Sequence, residues 1–123
     1  MTEILYKELS YKVVGCAMEV HKELGPGFLE SVYEAAMVVE LEKQGIQFAL
    51  QTQFPVIYKG VLVKHFIADM VIANEIVVEL KAISQIGNIE KAQVINYLKA
   101  TGLKLGLLIN FGQTSLQFER IVR

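Results

Sequence analysis

Ala68-Asp69-Met70-Val71-Ile72-Ala73-Asn74-Glu75-Ile76-Val77-Val78-Glu79-Leu80-Lys81 is the stretch that decides the fold. It belongs to two strands, Val61 to Ile72 and Ile76 to Ile83, with apolar residues on both faces, the pattern of central strands covered on both sides. Asp69, Glu79 and Lys81 interrupt that pattern, and buried charge needs a partner. Strand side chains alternate, so Glu79 and Lys81 share a face with Val77 and Ile83, while Asp69 shares one with His65, Ile67 and Val71. If Ala73-Asn74-Glu75 is a three-residue turn, Ile72 pairs with Ile76 and Asp69 falls directly opposite Glu79 on the same face. A two-residue turn would separate them onto opposite faces.

Two carboxylates facing each other across a ladder repel by roughly 0.2–1 kcal/mol at exposed sites and by more when desolvated. A divalent cation removes the conflict. Oxygen ligands suit Mg²⁺ or Mn²⁺, and one or two carboxylates with waters and a substrate phosphate form the usual magnesium arrangement. Lys81, about 7 Å further along that face, is placed to orient a water or to stabilise charge on a phosphate. The plainer alternative is a structural Lys81–carboxylate pair at a half-exposed sheet end.

Outward from this core, Ile4, Leu5, Leu9, Val13, Ala17, Val20 and Leu24 recur at helical spacing between Thr2 and Leu24, and Gly25-Pro26-Gly27 stops that helix. A second helix opens near Leu29, turns Val32, Ala36, Val39 and Leu41 toward a core, and ends at Gly45. Then the period changes to two at Phe48, Leu50, Phe54, Val56 and Tyr58, with Lys59-Gly60 as the hairpin turn. Pro55 marks that strand as an edge strand or a bulged one. Asn88 is the candidate N-cap of a third helix, Ile89 to about Thr101, which Gly102 ends. Leu105 to Asn110 and Leu116 to Val122 complete the sheet. The order is ααβββαββ, an α+β or mixed α/β layer structure.

The chain has 123 residues, enough for one domain over 1–123 and too few for two independent cores. Twelve Lys plus Arg against thirteen Asp plus Glu leave a net charge of −1, which disfavours a histone-like or arm-like binder held by bulk charge. A 53% hydrophobic share with 20% charged residues excludes a disordered chain. No apolar run approaches the ~18 residues of a bilayer span, and the acidic start lacks the features of a secretory signal, so a soluble cytoplasmic protein is expected. The lone Cys16 makes no internal disulfide and no thiolate zinc cluster, and belongs in a helix core.

Asp69 followed ten residues later by Glu79-Leu80-Lys81 in a hydrophobic strand resembles the motif of the PD-(D/E)XK nuclease superfamily. Gly27-Phe28-Leu29-Glu30-Ser31-Val32-Tyr33 resembles the pattern that names the GxxExxY family within it. Val20 to Gly27, Glu79 to Ala82, Gln93 to Leu98 and Leu108 to Gly112 are similar to that family's other blocks, in order along the chain. The resemblance implies a restriction-endonuclease-like core, a central mixed sheet flanked by helices, in which Mg²⁺ or Mn²⁺ activates water for attack on a phosphodiester of DNA or RNA. It implies Asp69 and Glu79 as metal ligands and Lys81 as the residue that positions water or stabilises the phosphorane. Glu30 matches the acidic residue that many members carry on the helix before the sheet as a further metal contact. Gln93-Val94-Ile95-Asn96-Tyr97 resembles the Q-x-x-x-Y element of RecB-type and related exonucleases, and residues four apart share a helical face, so Gln93 and Tyr97 can both look at the site. Ala68 stands where the superfamily's name has proline.

Each residue also has a plainer explanation. Glu30 near a helix start favours the macrodipole in any protein. Tyr33 reads first as a core residue or one supporting the site, Tyr97 as core packing with its hydroxyl at the surface, and Gln93 as a solvated helix residue. His65, four residues from Asp69, is expected to face solvent or to support the site rather than ligate. Three functions compete: a metal-dependent nuclease, a nuclease-fold module that binds nucleic acid or protein without cutting, and, last, a retaining glycosidase using the carboxylate pair. Near-neutral charge favours a partner: a homodimer, for which the first helix and the final hairpin are the candidate surfaces, or a protein supplying sequence specificity. No membrane partner is expected.

Overall fold

A computed structural model describes residues 6–123. Helix α1 spans Lys7–Leu24 and α2 spans Glu30–Lys43. Strands β1 (Phe48–Tyr58), β2 (Val61–Ile72) and β3 (Ile76–Lys81) follow, then α3 (Asn88–Thr101), β4 (Leu105–Asn110) and β5 (Gln117–Val122). The expected order ααβββαββ is the observed one. Thr2, Ile4 and Leu5, assigned above to the first helix, lie outside the described residues, and α1 opens after Tyr6, whose φ is 49°.

Along α1 the stripe Val13, Ala17, Val20 is buried, with Leu9 and Leu24 packed at its margin. Gly25, at φ 66°, turns the chain out of the helix and donates its N–H to the His21 carbonyl at 2.8 Å. In α2 the expected inward set is only partly right. Tyr33, Met37 and Leu41, four apart, are fully buried, whereas Val32 and Val39 are exposed. The four-residue row carries the largest side chains, so turning it inward buries more apolar area than the valine row would.

The five strands lie in the order β1-β2-β3-β4-β5, antiparallel except for the parallel β3–β4 pair. That parallel pair requires a crossover, which α3 supplies. The helices therefore cover both faces. One side holds α1 and α2 over Met70, Ile72, Ile76, Val78, Leu80, Leu105, Leu107 and Ile109. On the other, Leu98 of α3 packs on Ala68, Val71 and Val77, and Val94 packs on Leu108. The Cβ of any larger residue at Gly106 would collide with Val94, so the glycine lets α3 lie close to the sheet.

Several expected boundaries move. β3 stops at Lys81 rather than Ile83, because the buried Asn110 side chain takes the Ile83 N–H at 2.9 Å and donates to the Ile83 carbonyl at 3.0 Å. Asn88 is the first residue of α3 and not its cap; Gly87 holds that place, with its N–H on Glu90 Oε1 at 2.6 Å. β2 is central only in its second half. Its pairs with β3 are Met70–Val78, Val71–Val77 and Ile72–Ile76, whereas its pairing with β1 runs on to Val61–Tyr58. The first half of β2 thus forms a two-stranded arm with β1, and Val61, Leu62, Val63 and Ile67 are exposed. Pro55 sits on β1, at the sheet edge, one residue before a bulge at Val56/Ile57.

Candidate metal centre

The turn between β2 and β3 is the three-residue one. Ala73 and Asn74 take left-handed φ values of 51° and 58°, and the Glu75 N–H closes on the Ile72 carbonyl at 2.8 Å. Counting inward from Ile72–Ile76, the position after Met70–Val78 sets Asp69 against Glu79. Here the backbone ladder ends and the two carboxylates replace it. Glu79 Oε1 accepts the Asp69 N–H at 3.1 Å, and Asp69 Oδ2 accepts the Leu80 N–H at 2.8 Å. Each acid is clamped to the other's strand, so the pair converges where β2 leaves β3. One expectation fails locally: Ala68 and Val71 both join the cluster under α3, so strict alternation along β2 breaks at Asp69.

Glu79 is 5% exposed. Burial, then the neighbouring Asp69 charge, pushes its carboxyl up to about 8; the Asp69 N–H and the Lys81 ammonium oppose that rise. A buried acid beside a half-buried one ionises only at a cost that a cation would remove. The Tyr97 hydroxyl is raised as well, by burial first and then by the charges of Glu79 and Asp69, which places its ring beside the pair. Lys81, at the end of β3, donates from Nζ to Gln93 Oε1 at 3.4 Å. Gln93 and Tyr97 look out from the same face of α3, as their spacing implies, and the Tyr97 ring meets Phe66 edge-on, centroids 5.2 Å apart.

Asp69, Glu79, Lys81, Gln93 and Tyr97 are therefore brought together. Glu30 is not part of this network. It is the exposed first residue of α2, with no hydrogen bond or ion pair to any of these five residues. Its helix does end at the right place: Tyr33, one turn on, stacks on Phe111 at 4.4 Å, and the Phe111 N–H bonds the Lys81 carbonyl at 2.8 Å. Tyr33 itself is a brace. Its hydroxyl donates to the Gly25 carbonyl at 2.6 Å and accepts the Phe28 N–H at 3.2 Å, fixing the loop that leads into α2. His65 is exposed, and His21 is buried with Nε2 2.8 Å from the Gln113 carbonyl oxygen.

Asn110 is the residue whose part sequence reasoning missed. Fully buried, it holds Ile83 at both backbone groups, accepts the Gly112 N–H at 3.0 Å and donates to Gln117 at 3.2 Å. It thereby fixes the chain just beyond Lys81. The signal was present, since one amide ends an otherwise apolar strand, Leu105–Asn110.

Among the described residues no three His, Cys, Asp or Glu side chains form a group able to hold a metal. Two carboxylates nonetheless fit a hard cation, because Mg²⁺ commonly takes one or two of them and completes its shell with water and phosphate oxygens. The raised Glu79 carboxyl is the second sign of fit: the pair lacks a positive charge.

A helix-flanked mixed sheet with converging acids and a lysine at the end of its third strand defines a restriction-endonuclease-like protein. The chain belongs to the PD-(D/E)XK nuclease superfamily, whose family model matches residues 7–121. The crystal structure of SSO0001 is similar in fold, with a TM-score of 0.60 at 18% sequence identity over 96% of this chain. The chain spans 57% of the length of that protein. No curated protein matches it. No helix among the described residues is long and apolar enough to cross a membrane.

Proposed function

We propose that this chain is a metal-dependent nuclease of the GxxExxY family, folded as a single domain over 1–123, that hydrolyses phosphodiester bonds of DNA or RNA in the cytoplasm. The observation that carries the reading is the cross-clamped Asp69–Glu79 pair, with Glu79 short of a positive charge and Lys81 beside it. Asp69 and Glu79 would hold Mg²⁺ or Mn²⁺, and Glu30, which joins the site by family pattern and not by contact, would reach the ion directly or through water. When bound, the metal supplies Lewis acidity and makes hydroxide accessible near neutral pH. Lys81 orients the attacking water or neutralises charge that builds on the phosphate, and Gln93 steadies its ammonium. Tyr97 closes the wall behind the carboxylates, and Tyr33 holds the loop that sets the start of α2.

The test is direct. Purified protein with Mn²⁺ or Mg²⁺ is expected to cleave labelled nucleic acid, and Lys81→Ala to abolish cleavage while circular dichroism shows an intact fold. Calorimetry should show divalent-ion uptake that Asp69→Asn and Glu79→Gln weaken. Binding without cleavage across substrates and metals would hand the site to the non-cutting module instead. Self-association through α1 and β5, where Tyr11, Met18 and Phe118 are exposed around an apolar groove of about 380 Å³, supplies the homodimer. A protein partner would supply sequence specificity.

A further inference from the structure

We propose that the cleft between the free half of β2 and α3 receives one unpaired nucleobase next to the carboxylate pair, so that the substrate is single-stranded nucleic acid. The inference rests on the nuclease reading and narrows its substrate class.

The cleft follows from the way the sheet is built. β2 stops pairing with β3 at Met70 and continues with β1 as an arm, and α3 lies under that arm. Between them is a space of about 340 Å³. That volume is within the range of small-molecule sites, roughly 300–1,000 Å³. Phe66 and Tyr97 line it with aromatic surface, packed edge to face. Asn96 and Gln93 line it from α3. The Asn96 side chain is exposed and has no hydrogen-bond partner within the described residues, and the Gln93 side chain uses only its carbonyl oxygen, on Lys81. Lys64 and His65 bring cationic or donor groups from the arm.

This set matches the parts of a nucleotide. An aromatic ring takes the face of a base, an amide takes its hydrogen-bonding edge, and a lysine takes the neighbouring phosphate. In a duplex both the base face and that edge are already occupied, so only an unpaired base can enter. The position is also set, because Tyr97 and Gln93 belong at once to the cleft and to the surroundings of Asp69, Glu79 and Lys81. The base that enters is the one beside the phosphate at the carboxylates.

The experiment uses a short fluorescein-labelled oligodeoxynucleotide, either single-stranded or annealed to its complement. Cleavage is followed in Mn²⁺ and binding by anisotropy in Ca²⁺. The wild-type protein should bind and cut the single strand at least about tenfold better than the duplex. His65→Ala combined with Asn96→Ala, both exposed positions, should weaken single-strand binding by about tenfold and leave calorimetric Mn²⁺ uptake unchanged. Equal handling of single strand and duplex, or a double variant that binds the single strand as well as wild type, overturns the proposal while the nuclease reading stands. Selective single-strand binding that the double variant loses, without cleavage by wild type, keeps the cleft and removes the nuclease. Neither binding nor cleavage removes both.

Discussion

Replacing Glu79 by glutamine should make the metal-free protein more stable in mild alkali. In the folded chain the Glu79 carboxyl is pushed from its ordinary 4.5 to about 8 by burial and by Asp69. Between those values the unfolded chain has lost the proton that the folded chain still holds. The associated stability is complete below about 4.5 and is lost as pH rises through about 8. At 1.36 kcal/mol per unit of pH, the loss is roughly 5 kcal/mol once both states are ionised. Glutamine keeps the shape and can still accept the Asp69 N–H, but carries no charge to desolvate. Thermal unfolding in EDTA over this pH range is the assay. For a chain of this size 1 kcal/mol is worth about 4 °C, so the midpoint of the wild-type protein should fall on the order of 20 °C relative to that of the variant. Mn²⁺ should restore the wild-type midpoint and leave the variant's almost unchanged. A wild-type profile as flat as that of Glu79→Gln would refute the reasoning, since it would mean that the two acids do not burden each other.

Asn110→Ala should cost roughly 2–4 kcal/mol, because it strands the Ile83 backbone groups and the Gly112 N–H together. Urea unfolding with an unchanged slope and a lowered midpoint is the measurement, and a loss under about 1 kcal/mol would show that water substitutes for the amide. Tyr11→Glu, on an 80%-exposed side chain, should convert a dimer to a monomer in sedimentation without moving the unfolding midpoint. A wild-type protein that sediments as a monomer would remove this surface from the reading.

Much of the fold was legible because the period of the apolar residues changes from four to two at Phe48 and back again at Asn88. The register of the acids was legible only conditionally: Ala73-Asn74-Glu75 allowed two turn lengths, and the left-handed φ values of Ala73 and Asn74 are what realise the longer one. Which face of α2 turns inward was misread, since Val32 and Tyr33 are adjacent and only tertiary packing decides between them. The arm was invisible for a similar reason. Val61, Leu62 and Val63 look like core, and nothing local shows that β3 is too short to cover them. Asp69, Glu79 and Lys81 stood out as candidates because charge inside apolar strands is rare. Glu30 was placed by family pattern alone, and its side chain stands apart from the others. Asn110 sat in plain view but was taken as part of a motif rather than as a polar atom in need of partners.

The outermost strand carries a quieter lesson about crowded solutions. A proline has no amide hydrogen to offer an incoming chain, and the irregularity directly after Pro55 skews the spacing that such a chain would need to match. The opposite border is only six residues long and carries the half-buried charges Glu119 and Arg120. Neither margin invites a neighbour to extend the ladder, so the exposed valines of the arm can be tolerated without seeding fibrils.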